Sequence, residues 1–150
     1  MSMDANPKTL FLVEDNLGDI RLIQEALKRT ESNCRVVVAR DGMEAIAYLC
    51  QCKSQSPQVY PDLILLDLNL PKKDGREVLA DIKGDPALMH IPVVVLTTSR
   101  NEEDILHSYD LHVNCFISKS RNLAQLFSIV EGIKDFWLET AALPCVAPQT

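Results

Sequence analysis

The sequence predicts an α/β fold, a doubly wound five-stranded parallel sheet with helices on both faces. Two observations predict it. Five short apolar runs rich in β-branched residues alternate with five amphipathic segments. The runs are apolar at odd and even positions alike, which suits strands covered on both sides. Right-handed crossovers join such strands, and the compact five-strand solution is the flavodoxin-like order 2-1-3-4-5.

The first strand is "TLFLV", 9–13, and the first helix carries Ile20, Ile23 and Leu27 after Asn16. The second strand is "CRVVVA", 34–39. Asp41 then suits the N-cap of a helix with Ala45, Ile46 and Leu49 inward. "QCKSQSPQVYP", 51–61, reads as a polar loop. "DLILL", 62–66, is the third strand, and Asp74 can start a helix through Val78, Leu79 and Ile82. "PVVVL", 92–96, is the fourth strand, with Asn101 as the cap of the fourth helix. "VNCFI", 113–117, is the fifth, and Asn122 opens a helix whose inward stripe is Leu126, Val130, Ile133 and Trp137. "LPCVAPQT", 143–150, has two prolines and few core-forming residues, so a mobile tail is expected beyond a core of 8–138.

A chain of 150 residues makes one domain and can bury a core without staples. No stretch approaches the roughly 20 apolar residues of a membrane span. The start, "MSMDANPK", has no apolar signal region, so a cytoplasmic protein is expected. A net charge of −6 argues against nucleic-acid or anionic-membrane binding, which needs dense Lys and Arg. The five cysteines (Cys34, Cys50, Cys52, Cys115, Cys145) include no CxxC pair and read as free thiols. His90, His107 and His112 show no metal-ligand spacing.

Sheets of this kind bind ligands beyond the carboxyl ends of their strands, where strand order reverses. The first strand ends in Glu14-Asp15, the third in Asp67, the fourth in Thr97-Thr98 and the fifth in Ser118-Lys119. Any one of these residues is better explained as a helix cap or a solvated polar group. Together they leave three clustered acids, which stay ionised only beside cations. Lys119 supplies one positive charge. An all-oxygen set with room for water suits Mg²⁺, for which Mn²⁺ can substitute. A carboxylate beside a hard cation, a lysine and a hydroxyl fits a nucleophilic aspartate that attacks a phosphoryl group.

Glu14-Asp15, "LLDLNLPKKDG" around Asp67, Thr97 in "VVLTTS" and Lys119 in "CFISK" make the chain resemble the receiver domain of two-component response regulators over residues 8–138. "ILLDLNLPKKDGREVLADIK", "IPVVVLTTS" and "FWLET" are similar to the single-domain regulators of cyanobacterial phytochromes. The resemblance implies Asp67 as phosphoacceptor, Mg²⁺ held by Asp15, by Glu14 through water and by the Asn69 backbone carbonyl, and Lys119 and Thr97 on the phosphoryl group. It makes Phe116 a switch aromatic, Pro71 and Gly75 loop-shaping residues, and a sensor histidine kinase, a phytochrome, the partner. Two positions depart from the pattern. Glu14 stands where Asp is commoner, and Ser120 comes after Lys119 where many receivers have proline, so the loop there lacks that constraint.

A phosphoryl group adds about 1.5–2 negative charges and three acceptors, so closing the loops after the fourth and fifth strands would bias the face formed by the fourth helix, fifth strand and fifth helix. On the fifth helix, Ile129 and Phe136 fall off the core stripe and mark a homodimer or partner surface, against the plainer reading of scattered exposed apolar residues. A haloacid-dehalogenase-type phosphatase needs an acid where this chain has Asn69. A flavin carrier would place a phosphate against the acidic "EDNLGD".

Overall fold

The computed structural model describes residues 7–28 and 34–144. Cys145 and the tail from 145 onward lie outside them. The strands are β1 (Lys8–Val13), β2 (Cys34–Ala39), β3 (Leu63–Leu66), β4 (Val93–Thr97) and β5 (Cys115–Ser118). The helices are α1 (Leu17–Lys28), α2 (Gly42–Ser54), α3 (Gly75–Gly84), α4 (Glu102–Asp110) and α5 (Leu123–Ile133). The sheet order is β2-β1-β3-β4-β5 and every pairing is parallel, as the alternation predicts.

Strand period sorts the core into two layers. Phe11, Val13, Ile64, Leu66, Val93 and Val95 face α2 and α3. Leu10, Leu12, Leu63, Leu65, Val94 and Leu96 face α1 and α5. All of these are buried, so the central strands β1, β3 and β4 are covered on both sides, while the edge strands β2 and β5 are mostly half-buried.

Capping fixes the helix starts. Asp41 accepts from the Glu44 N–H at 2.8 Å, and Asp74 with Glu77 closes a capping box on α3. Asn101 and Asn122 cap α4 and α5, and Asn16 accepts from the Asp19 N–H at 2.9 Å on α1. The expected loop 51–61 begins late, because α2 runs on to Ser54. Cys52 is buried one turn past Leu49, and Lys53 reaches Asp85 at 2.7 Å, so the polar composition there is one face of a helix. β5 begins at Cys115, two residues later than expected, since the Val113 N–H is taken by the Ser108 carbonyl.

The stripe expected to end on Trp137 ends on Leu138 instead. Past Ile133 the helix widens into a π-helix, Lys134–Thr140, closed by an i to i+5 bond from Ala141 N–H to Phe136 O. The wider turn carries the inward position from Ile133 to Leu138 and leaves Trp137 half-buried. It also buries Lys134, whose Nζ donates to the Leu27 carbonyl at 2.8 Å near the end of α1.

α4 is the most lightly docked helix. Its one buried residue is Ser108, while Leu106 and Tyr109 stand exposed.

Candidate functional site

Register decides which side chains meet. Val13 pairs with Leu66, so Glu14 and Asp67, each one residue on, leave the sheet side by side. The Asp67 N–H still bonds the Val13 carbonyl at 3.0 Å. Thr97 pairs with Ser118, which puts Lys119 next on the same rim. The carboxylates of Glu14, Asp15 and Asp67 bring one oxygen each within 4.8 Å of one another. Glu14 and Asp67 are buried, and Asp15 is exposed.

Lys119 is buried among acids. Its Nζ lies 2.6 Å from Glu14 Oε1, 2.9 Å from Asp19 Oδ2 and 3.1 Å from Asp67 Oδ2. Burial alone would lower its pKa, but the bonds to Glu14 and Asp19 outweigh that and raise it. Burial pushes the Glu14 carboxyl well above the usual range. The Asp67 charge adds to the rise, and Lys119 only partly offsets it. Three carboxylates, Glu14, Asp19 and Asp67, share that one ammonium. The donor set fits a hard divalent cation: three close carboxylates, all oxygen, with one side open to water.

The phosphoryl-contact candidates lie around the same rim. Thr97 is buried, and its Oγ1 accepts from Asn69 Nδ2 and from the Ser99 N–H, each at 3.4 Å. The Asn69 N–H donates to Asp67 Oδ1 at 3.1 Å, and no described group donates to the Asn69 carbonyl. Pro71 turns the loop by accepting from Lys73 N–H at 2.8 Å and Gly42 N–H at 3.4 Å. Gly75 comes next, its N–H on the Leu68 carbonyl at 2.9 Å. Phe116 is half-buried on β5, and its N–H donates to the Tyr109 hydroxyl of α4 at 3.2 Å. The loop after Lys119 has a tie of its own. Ser120 Oγ bonds Gln125 Oε1 at 2.6 Å and accepts from Asn122 N–H at 3.1 Å, so a hydroxyl anchors it to α5. Thr98, Arg100, Lys119 and Arg121 line a cavity of about 480 Å³ beside the rim, giving an entering anion a cationic edge.

Ile129 and Phe136 differ in exposure. Phe136 is 55% exposed, edge-on to Trp137, but Ile129 is half-buried against the α1–α5 core. The heptad spacing that links them assumes an unbroken α-helix, and the π-turn lies between them.

Asp19 joins the site although the sequence gives it no such role, because its partner lies 100 residues away. A second unforeseen group ties down the loop after β4. Arg76 Nε and Nη2 hold Asp104 at 2.9 and 2.8 Å, and Ser99 Oγ donates to Asp104 at 2.7 Å. The Ser99 carbonyl accepts from Ser118 Oγ at 3.0 Å. The Arg76 bonds, then Ser99, hold the Asp104 carboxyl down at about 2. A depressed carboxylate stabilises the fold above its ordinary pKa and loses that contribution as pH falls through its folded value. Asp104→Asn is expected to cost about 1 kcal/mol at pH 7, discounted for its partial exposure. The gap to wild type should shrink between about pH 4 and pH 2 in urea unfolding. A gap that held constant would remove the pairing as its cause.

The sequence matches the response regulator receiver domain over residues 10–131. The chain belongs to that family. Response regulator Rcp1 of Synechocystis sp. is 57% identical over 145 residues, 96% of this chain and 99% of the relative. The crystal structure of the phosphorylated cyanobacterial phytochrome response regulator RcpA superposes with a TM-score of 0.88 at 66% identity, covering 93% of this chain and 100% of that one. The Mn²⁺-bound form of Rcp1 gives 0.87 at 57% identity with the same coverage. This receiver is thus similar to phytochrome response regulators in sequence and fold. No described helix is long and apolar enough to cross a membrane.

Proposed function

We propose that this protein is a single-domain, cytoplasmic phosphoacceptor switch. Asp67 takes a phosphoryl group from the phosphohistidine of a sensor histidine kinase. An oxygen of Asp67 forms the new bond to phosphorus as the phosphorus–nitrogen bond breaks and its electron pair returns to the imidazole. The observation that carries this reading is Lys119, its ammonium 3.1 Å from Asp67 in a rim that also holds Glu14 and Asp15.

Glu14, Asp15, Asp67 and the Asn69 carbonyl would hold Mg²⁺ or Mn²⁺, which when bound neutralises the acids and the incoming phosphoryl charge. Lys119 and the Thr97 hydroxyl receive the phosphoryl oxygens. Reaching them draws on the loop that Ser99 ties to Asp104 and Ser118, and so on α4 and β5, where Phe116 and Tyr109 meet. α4 is free to respond because little of it is buried. The likeness to Rcp1 and RcpA favours a phytochrome kinase as donor. The net charge of −6 argues against nucleic acid and anionic membrane as partners.

The test is incubation with acetyl phosphate and Mg²⁺, read by mass spectrometry. One base-labile phosphoryl group per chain is expected. No uptake, or an acid- and base-stable modification, would sink the reading.

The output surface is read as protein-binding, with a homodimer as one form. Exposed Leu106, Tyr109 and Phe136 carry that expectation better than Ile129 does. Phe136→Asp with Leu106→Asp should lower the sedimentation mass of the phosphorylated protein to that of a monomer. A wild type that is monomeric with and without phosphate removes the dimer.

A further inference from the structure

An ammonium has three donors, and each of the three on Lys119 has a carboxylate. Two of those acids, Glu14 and Asp67, also belong to the oxygen cluster suited to a cation. Asp19 does not. Its backbone is pinned by the Asn16 cap in the first turn of α1. An acid there already complements the helix dipole, which accounts for its residue type. That leaves unexplained why its side chain reaches a buried lysine on the far side of the switch point at 2.9 Å. Once Glu14 and Asp67 share their oxygens with a cation and a phosphoryl group, Asp19 is the acceptor Lys119 keeps.

We infer that Asp19 is a positioning residue: it holds the Lys119 ammonium between Glu14 and Asp67, aimed at the oxygens of the incoming phosphoryl group. The inference rests on Asp67 as phosphoacceptor. Without Asp19 the ammonium collapses further onto Glu14 and Asp67, where it competes with the cation and faces away from the entering oxygens. Loss of the Asp19 charge alone would act in the opposite sense. One negative charge fewer on the rim eases the approach of an anionic donor, with or without the lysine.

A double-mutant cycle separates these effects. The rate of Asp67 phosphorylation by acetyl phosphate at saturating Mg²⁺ is measured for wild type, Asp19→Asn, Asp19→Glu, Lys119→Met and the Asp19→Asn/Lys119→Met double variant. Mg²⁺ affinity is measured by calorimetry. Asp19→Asn is expected to slow phosphorylation about five- to twentyfold while Mg²⁺ affinity stays within about twofold. Asp19→Glu should recover most of the rate. In the Lys119→Met background, Asp19→Asn should not slow it further. An unchanged rate in Asp19→Asn overturns the inference, as does equal slowing with and without the lysine. A fall in Mg²⁺ affinity matching the fall in rate would make Asp19 a metal ligand instead. A wild type that takes no phosphoryl group removes the phosphoacceptor reading, and the inference with it.

Discussion

Asp67→Asn is expected to abolish phosphoryl uptake and, without metal, to leave the fold more stable. The first effect is complete, because the amide has no anionic oxygen to attack phosphorus. The second comes from crowding. Burial raises the Glu14 carboxyl's pKa, and the Asp67 charge raises it further. An amide of the same shape removes that repulsion, but its single oxygen can accept from Lys119 or from the Asn69 N–H and not from both, because the carboxylate meets them on different oxygens. The gain should be about 1 kcal/mol, since part of the Lys119 attraction is lost as well. Urea unfolding with and without Mg²⁺ reads it: wild type should gain stability from the metal, and the variant much less. A variant that still acquired a base-labile phosphoryl group would place the acceptor elsewhere. One that was less stable without metal would show that the Lys119 attraction outweighs the crowding.

Gly75→Ala should be strongly damaging for so small a substitution. A Cβ there would overlap the Asp67 carbonyl oxygen and sit 2.5 Å from Leu68 Cα and 2.8 Å from the Leu68 carbonyl oxygen. All three obstacles are backbone, so no rotamer relieves them. The chain just past Asp67 must move, at an expected cost of about 3 kcal/mol, and on the proposed function phosphorylation should slow as well. Gly132→Ala is the matched control. A Cβ there meets nothing within 4 Å, so it should gain about 0.5–1 kcal/mol from helix propensity. Unfolding midpoints of the two variants should move in opposite directions. A Gly75→Ala protein as stable as wild type would mean that the loop is not held against α3.

Reading the sequence places Asp67 beside Glu14 because strand order and register are written in local pattern. Leu63–Leu66 and Leu10–Val13 are apolar on both faces, and the residue after each run must emerge on one rim. Gly75 is legible as a helix-start glycine, and the close approach that forbids a side chain there is not. Asp19 escapes for a different reason. Its neighbours in sequence explain it fully as a helix-start acid, and only the folded chain brings Lys119 to it. The π-helix escapes because an assumed period of 3.6 selects Trp137, whereas the wider turn selects Leu138. Asp104 and Arg76 look like ordinary surface charges until α3 and α4 are set side by side.

The cavity of about 470 Å³ at the amino ends of the strands is lined by both Pro7 and Pro144. Lys8 Nζ bonds the Leu138 carbonyl there at 2.8 Å, tying the two ends of the described chain together. Pro7 and Pro144 thus lie at the pole opposite Asp67, with β3 spanning the distance between. A reporter or a surface tether attached at that pole leaves the Asp67 rim uncovered. The neighbouring ends also make the protein a ready substrate for circular permutation, with a short linker across that pole and new ends cut in the exposed stretch 55–57.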